Sequence, residues 1–284
     1  MTFRQFSISR RTIATAAALA GTVSLAIGAH AALSMRALDA AKAVSTEQSS
    51  DAARRASRVA LVIGNGHYPD AGEPLTQPIN DARALTTALR RDGFDVDVVE
   101  DASKDDMARA LGRLKSKIKK DSVVMLFFGG YGVQVGRESY MIPVDAAIWK
   151  EADVRRDGLS IESVLEVMKE RGARAKLVVV DASRRNPYER RFRAFSHGLA
   201  PINAPDNALI LTSATPGKVA DDGKGQHSVL VSELLNNLTA QAGAEAVFNK
   251  TRVAISRASD GEQVPSVSSS LVEDVNLGND KAGG

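Results

Sequence analysis

The chain has 284 residues, 44% hydrophobic and 25% charged, which suffices for one large or two small domains and excludes a collagen-like or disordered chain. It contains no cysteine, so disulfides, thiolate metal sites, thiol redox chemistry and a cysteine nucleophile are excluded. The net charge of +3 comes from residues 1–31, which carry Arg4, Arg10 and Arg11 and no acid; the remainder balances at 34 basic against 34 acidic residues, so nucleic-acid binding is not implied.

The amino terminus reads as a targeting signal. A basic stretch ends at Arg10-Arg11, an Ala-rich apolar run follows from Thr12 to about Gly28, and Ala29-His30-Ala31 supplies a small-residue cleavage site. The arginine pair is similar to a twin-arginine signal and implies an exported, bacterial protein, periplasmic or extracellular. The alternative is an inner-membrane anchor, because the uncharged run from Thr12 to Met35 is long enough to span a bilayer. Residues 32–57, rich in Ala, Ser, Arg and Asp, read as a linker.

From Arg58 apolar runs alternate with helix-period segments, the pattern of an α/β domain around a mostly parallel sheet of about six strands with helices on both faces. A strand is expected over Val59–Ile63, then a helix capped by Asn80 and running to Arg91 with Ala84, Leu85 and Leu89 inward. Strand two is Asp95–Val99, helix two Lys104–Lys119, strand three Val123–Phe128, helix three Ser160–Arg171 and strand four Leu177–Val180. Residues 183–207 hold Pro187, Pro201 and Pro205 among many charges and read as a long surface loop. Strand five is Leu209–Thr212, followed by helices over Val229–Gln241 and Ala244–Ala258 and a last strand near Leu271–Leu277.

In such sheets chemistry sits beyond the carboxyl ends of the strands, here after Ile63, Phe128 and Val180. Gly64-Asn65-Gly66 has Pro69 where a dinucleotide fingerprint needs its third glycine, and reads as a tight turn. The other segments are more distinctive. Phe127-Phe128-Gly129-Gly130-Tyr131-Gly132, Tyr140-Met141-Ile142-Pro143-Val144-Asp145 and Val180-Asp181-Ala182-Ser183-Arg184-Arg185-Asn186-Pro187 together resemble the bacterial caspase-like peptidases, relatives of metacaspases (orthocaspases). Asn80-Asp81-Ala82 with Gly93-Phe94, and Ala214 to Ala220 with Gln263 and Pro265, extend the resemblance over residues 58–277. It implies the caspase-hemoglobinase fold, with a large-subunit-like part over 58–190, a small-subunit-like part over 200–277 and a tail over 278–284.

Members of that family carry a histidine after the third strand and a cysteine after the fourth. Tyr131 and Ser183 stand at those positions here, 52 residues apart, against a histidine-to-cysteine spacing of about 50 in caspases. A phenol of ordinary pKa near 10 is about one part in a thousand ionised at pH 7, and a serine hydroxyl needs a base more than a thiol does. His67, His197 and His227 match no catalytic position. The resemblance therefore implies an inactive pseudopeptidase acting as an exported peptide- or protein-binding module. The alternatives are an active hydrolase using Ser183 with Tyr131, and a structural interaction module with a closed pocket.

What the resemblance leaves intact is the rest of a site. Gly132 and the backbone N–H of Ser183 stand where the oxyanion hole would be. Asp81 and Asp181 match aspartates that line an acidic pocket for Arg or Lys, with Gly129 in place of the family's serine; the competing reading has Asp81 capping its helix or forming a surface turn and Asp181 simply ending its strand. The expected partner is a peptide or protein, with an Arg or Lys side chain. Membrane contact is expected only if the N-terminal segment stays uncleaved. Arg184, Arg185, Arg190, Arg191 and Arg193 fall where active relatives are cut between subunits, and read as a solvated loop. No metal-ligand spacing occurs and no cofactor is expected, calcium being left open.

Overall fold

The computed structural model describes residues 57–69, 74–191, 198–220, 225–238 and 242–277; the expected signal, the linker up to residue 56 and the tail lie outside them. Runs rich in Val, Ile, Leu and Phe form strands β1 (Arg58–Gly64), β3 (Val123–Gly129), β7 (Ala175–Asp181) and β8 (Ala208–Thr212), almost every residue of which is buried. Such continuous apolar runs mark strands covered on both faces. With β2 (Asp95–Glu100) and β9 (Ser266–Ser269) they make a six-stranded sheet ordered β2-β1-β3-β7-β8-β9, parallel except for β9.

Alternate residues of each strand feed two cores. Val59, Leu61, Ile63, Val124, Leu126 and Phe128 face helices α2 (Lys104–Lys117) and α4 (Ile161–Glu170), whose inward residues include Met107, Leu114, Val164 and Met168. Ala60, Val62, Val123, Met125 and Phe127 face α1 (Gln77–Arg91), α5 (Val229–Asn237) and α6 (Ala244–Ala258) through Leu85, Leu89, Leu234 and Phe248. This is the period of two of a strand meeting the 3.6 period of a helix. A second sheet of β4 (Gly132–Val135), β5 (Glu138–Met141) and β6 (Leu159–Ser160), with the short helix α3 (Glu151–Asp157) beside β4, packs against α4. Its hairpin turns on Gly136, which has φ 67°.

Several expectations are corrected. Helix α1 starts at Gln77 with Pro78 in its first turn, where a missing N–H costs nothing; Asn80 is not its cap and donates instead to the Gln226 carbonyl. The last strand is Ser266–Ser269, not Leu271–Leu277. A serine-rich edge strand carries no apolar alternation, while Val275 and Leu277 are buried in the core beside only an isolated bridge from Gly243 to Asn276. The small sheet and α3 were unexpected, being too short to show a period. The loop after β7 is far from fully solvated, since Arg184, Asn186, Tyr188, Leu199 and Ala200 are buried. No helix among the described residues is long and apolar enough to cross a membrane.

Candidate functional site

Three neighbouring strands end in one row, with Gly64 beside Gly129 and Gly129 beside Asp181. Helix α1 lies hard against that row. A Cβ on Gly64 would stand 2.4 Å from the Pro78 carbonyl oxygen, so the helix approaches as it does only because that position has no side chain. The close approach places Asp81, in the second turn, at the end of the sheet, where the charge of Asp181 acts on it. Both acids are buried, Asp81 at 1% and Asp181 at 4% exposure.

The two carboxylates are treated differently by the protein. Asp81 does not cap its helix. Its Oδ1 accepts from His227 Nδ1 at 2.9 Å, and the Ser228 backbone N–H lies 3.2 Å from both of its oxygens. Asp181 Oδ2 accepts no hydrogen bond, and the Arg184 guanidinium pairs with it at 3.9 Å. Burial, and after it the neighbouring Asp181 charge, push the Asp81 carboxyl up to about 6 from 3.8.

That shift predicts a pH effect. Because the folded-state pKa lies above the unfolded value, the folded protein keeps a proton that the unfolded chain has already lost between about pH 4 and 6. Stability from this group is therefore present below about pH 4 and lost as pH rises through 6, on the order of 2–3 kcal/mol. The difference in urea-unfolding free energy between wild type and Asp81→Asn should fall over that window; a flat difference would contradict it.

Tyr131 and Ser183 each lie two residues beyond the paired residues Gly129 and Asp181, so their chains leave adjacent strands side by side. A Cβ on Gly132 would be 3.0 Å from both Ala182 Cβ and Ala182 O, which measures how closely the two turns meet. The Tyr131 ring packs edge-on against Tyr68 at 4.8 Å between centroids. Its backbone N–H donates to the Tyr68 hydroxyl, which in turn donates to the Ile142 carbonyl. Ser183 is 1% exposed, and its Oγ makes no hydrogen bond. No hydrogen bond therefore joins it to Tyr131.

The backbone donors also differ. Because the Ile142 N–H reaches the Tyr131 carbonyl, Gly132 and Met141 form a pair whose N–H groups point away from each other, leaving the Gly132 N–H directed off the hairpin. The Ser183 N–H donates to Ser213 Oγ at 3.3 Å. Leu199 lies over the glycine, its Cδ2 2.6 Å from where a Gly132 Cβ would stand.

Sequence reasoning missed the residues that hold these parts in place. Asn65, fully buried, accepts from the Ala102 N–H and donates to the Ile142 carbonyl, tying the turn after β1 to the segments after β2 and β5. Arg184, with which the expected solvated loop begins, is 4% exposed; one of its nitrogens donates to the Gly130 and Asp181 carbonyls. Arg191 stacks over Trp149 at 4.5 Å, whereas Arg185 and Arg190 are exposed. His67 is exposed and bonded to Asp101, and His197 and Arg193 lie outside the described residues. His227 sits on the acidic site. Only its place before a helix hinted at this, because its partner is 146 residues away.

Comparison with known proteins bears on the family and the fold. A family model described as a caspase domain, of peptidase family C14, matches residues 57–276. The human mucosa-associated lymphoid tissue lymphoma translocation protein 1 is 28% identical over 144 residues, 50% of this chain and 17% of that protein. Its mouse homolog is 29% identical over 133 residues, 46% of this chain and 16% of that protein. The chain thus spans about a sixth of the length of these relatives. The crystal structure of the Drosophila initiator caspase Dronc superposes with a TM-score of 0.58 at 12% identity, covering 77% of this chain and 82% of that one. The expected fold is found, a mostly parallel six-stranded sheet with helices on both faces.

Proposed function

Because the chain belongs to the caspase domain family, we propose that it is a pseudopeptidase, exported on its N-terminal signal, that binds a basic side chain of a peptide or protein without cleaving it. Tyr131 and Ser183 take the places of the catalytic histidine and cysteine. The observation that carries this reading is the buried Ser183 Oγ with no hydrogen-bond partner. A hydroxyl becomes a nucleophile when a neighbouring base takes its proton, and among the described residues none is hydrogen-bonded to it. Binding is supported by Asp181 Oδ2, a buried carboxylate oxygen that accepts no hydrogen bond and so suits a guanidinium or ammonium donor.

Wild type and Ser183→Ala are expected to show equal, background-level turnover of Arg, Lys and Asp reporter peptides. An Arg peptide should bind about tenfold or more tightly than its Gln counterpart, the range of one or two hydrogen bonds to a charged group. Asp181→Asn should remove most of that preference. Turnover that disappears in Ser183→Ala would instead establish a serine hydrolase. Equal Arg and Gln binding would favour a closed interaction module, in line with the low exposure of both acids.

A further inference from the structure

Three successive contacts tie the segment Gly225–Ser228 to α1. Gln77 Nε2 donates to the Gly225 carbonyl at 3.1 Å, Asn80 Nδ2 to the Gln226 carbonyl at 3.2 Å, and Asp81 accepts from His227 and Ser228. Gln77, Asn80 and Asp81 are spaced to share one helix face. The Ser228 N–H alone reaches both Asp81 oxygens, so the backbone is anchored there whatever side chain residue 227 carries. The imidazole is therefore an addition to that anchor. It places an N–H donor on one carboxylate of the acidic pair while the other keeps an oxygen that accepts no hydrogen bond. The His227 side chain is 34% exposed, against 1% for Asp81, so it is the more accessible member of its pair.

We infer that His227 is a specificity-determining residue of the acidic pocket, occupying Asp81 as an internal stand-in for a ligand's basic side chain. The inference rests on the acidic-pocket reading above. An entering side chain finds an oxygen free of hydrogen bonds at Asp181, and takes Asp81 Oδ1 only by displacing the imidazole. A lysine ammonium, a compact point charge, is satisfied at Asp181. A guanidinium, with five donors in a planar fork, gains from reaching both carboxylates. With His227 in place the pocket therefore discriminates little between Arg and Lys; without it, Arg gains more.

The test is calorimetric titration of wild type and His227→Ala with three peptides identical except for Arg, Lys or Gln at one position. His227→Ala should bind the Arg peptide about five- to tenfold more tightly, one extra charge-assisted hydrogen bond, with a smaller gain for Lys and none for Gln. Adding Asp81→Asn should abolish the gain. In the wild type, saturating Arg peptide should shift the His227 imidazole nitrogen resonances and the Gln peptide should not, which decides the matter even if the variant fails to fold. If wild type prefers Arg over Gln but His227→Ala adds nothing, or the resonances stay still at saturation, the role of His227 is wrong and the pocket stands. If neither protein distinguishes Arg from Gln, the acidic pocket itself falls and the inference with it.

Discussion

Combining Tyr131→His with Ser183→Cys should create cleavage after Arg or Lys that neither substitution produces alone. The two positions leave neighbouring strands side by side, and Gly132 lies against Ala182, so the turns are already within reach of each other. Removing either the nucleophile or its base from a comparable hydrolase costs roughly a million-fold, and the two losses are far from additive. The pair should therefore exceed either single variant by about a hundredfold or more, while each single variant stays near background. Full activity is not expected, because a misplacement of about 1 Å costs on the order of a hundredfold. The imidazole would replace a ring held edge-on to Tyr68, and an oxyanion would compete with Ser213 Oγ for the residue 183 N–H. Cleavage at the exposed Arg185 or Arg190, read by mass spectrometry, would be an internal report of the same activity. A folded double variant without cleavage would mean that Leu199 and Ser213 keep the site closed, favouring the interaction module.

Arg184→Met is expected to lower stability by about 3–5 kcal/mol, the range for breaking a buried charged network. The guanidinium donates to the Gly130 and Asp181 carbonyls and lies near the Asp181 carboxylate, joining the turn that carries Tyr131 to the end of β7. Methionine fills similar volume but leaves buried acceptors without these donors. Arg184→Lys should recover only part of the loss, since an ammonium cannot reproduce the planar fork. Arg185→Met is the control: the adjacent side chain is exposed, and its loss should stay within about 0.5 kcal/mol. Urea unfolding of the three variants checks this. Similar values for Arg184→Met and Arg185→Met would show that Arg184 is no more than part of a charged loop.

These two arginines mark where sequence reading stops. Both stand in one run of basic residues, and nothing in their spacing says that one is buried and the other exposed. The difference arises because the chain turns back over the end of β7, bringing the carbonyls of Gly130 and Asp181 to Arg184 alone. The same holds for His227 and Asp81. Local pattern cannot join residues 146 positions apart; packing of the segment before α5 onto α1 does so.

By itself the sequence determined the chain order of the five parallel strands and of the helices flanking them, because four of those strands are apolar on both faces and the flanking helices keep a single apolar stripe. The distinctive residues after β3 and β7 also carried the family resemblance, and the family model matches residues 57–276. The small sheet β4–β6 and the edge strand β9 were decided by tertiary structure. Two- to four-residue strands carry too few side chains to show a period, and a serine-rich edge is held by backbone ladder bonds that any sequence can make. Tertiary structure alone also decided that, among the described residues, Ser183 Oγ and Asp181 Oδ2 accept no hydrogen bond and that Asp81 is held by His227 and Ser228, since partners are a matter of distance in space.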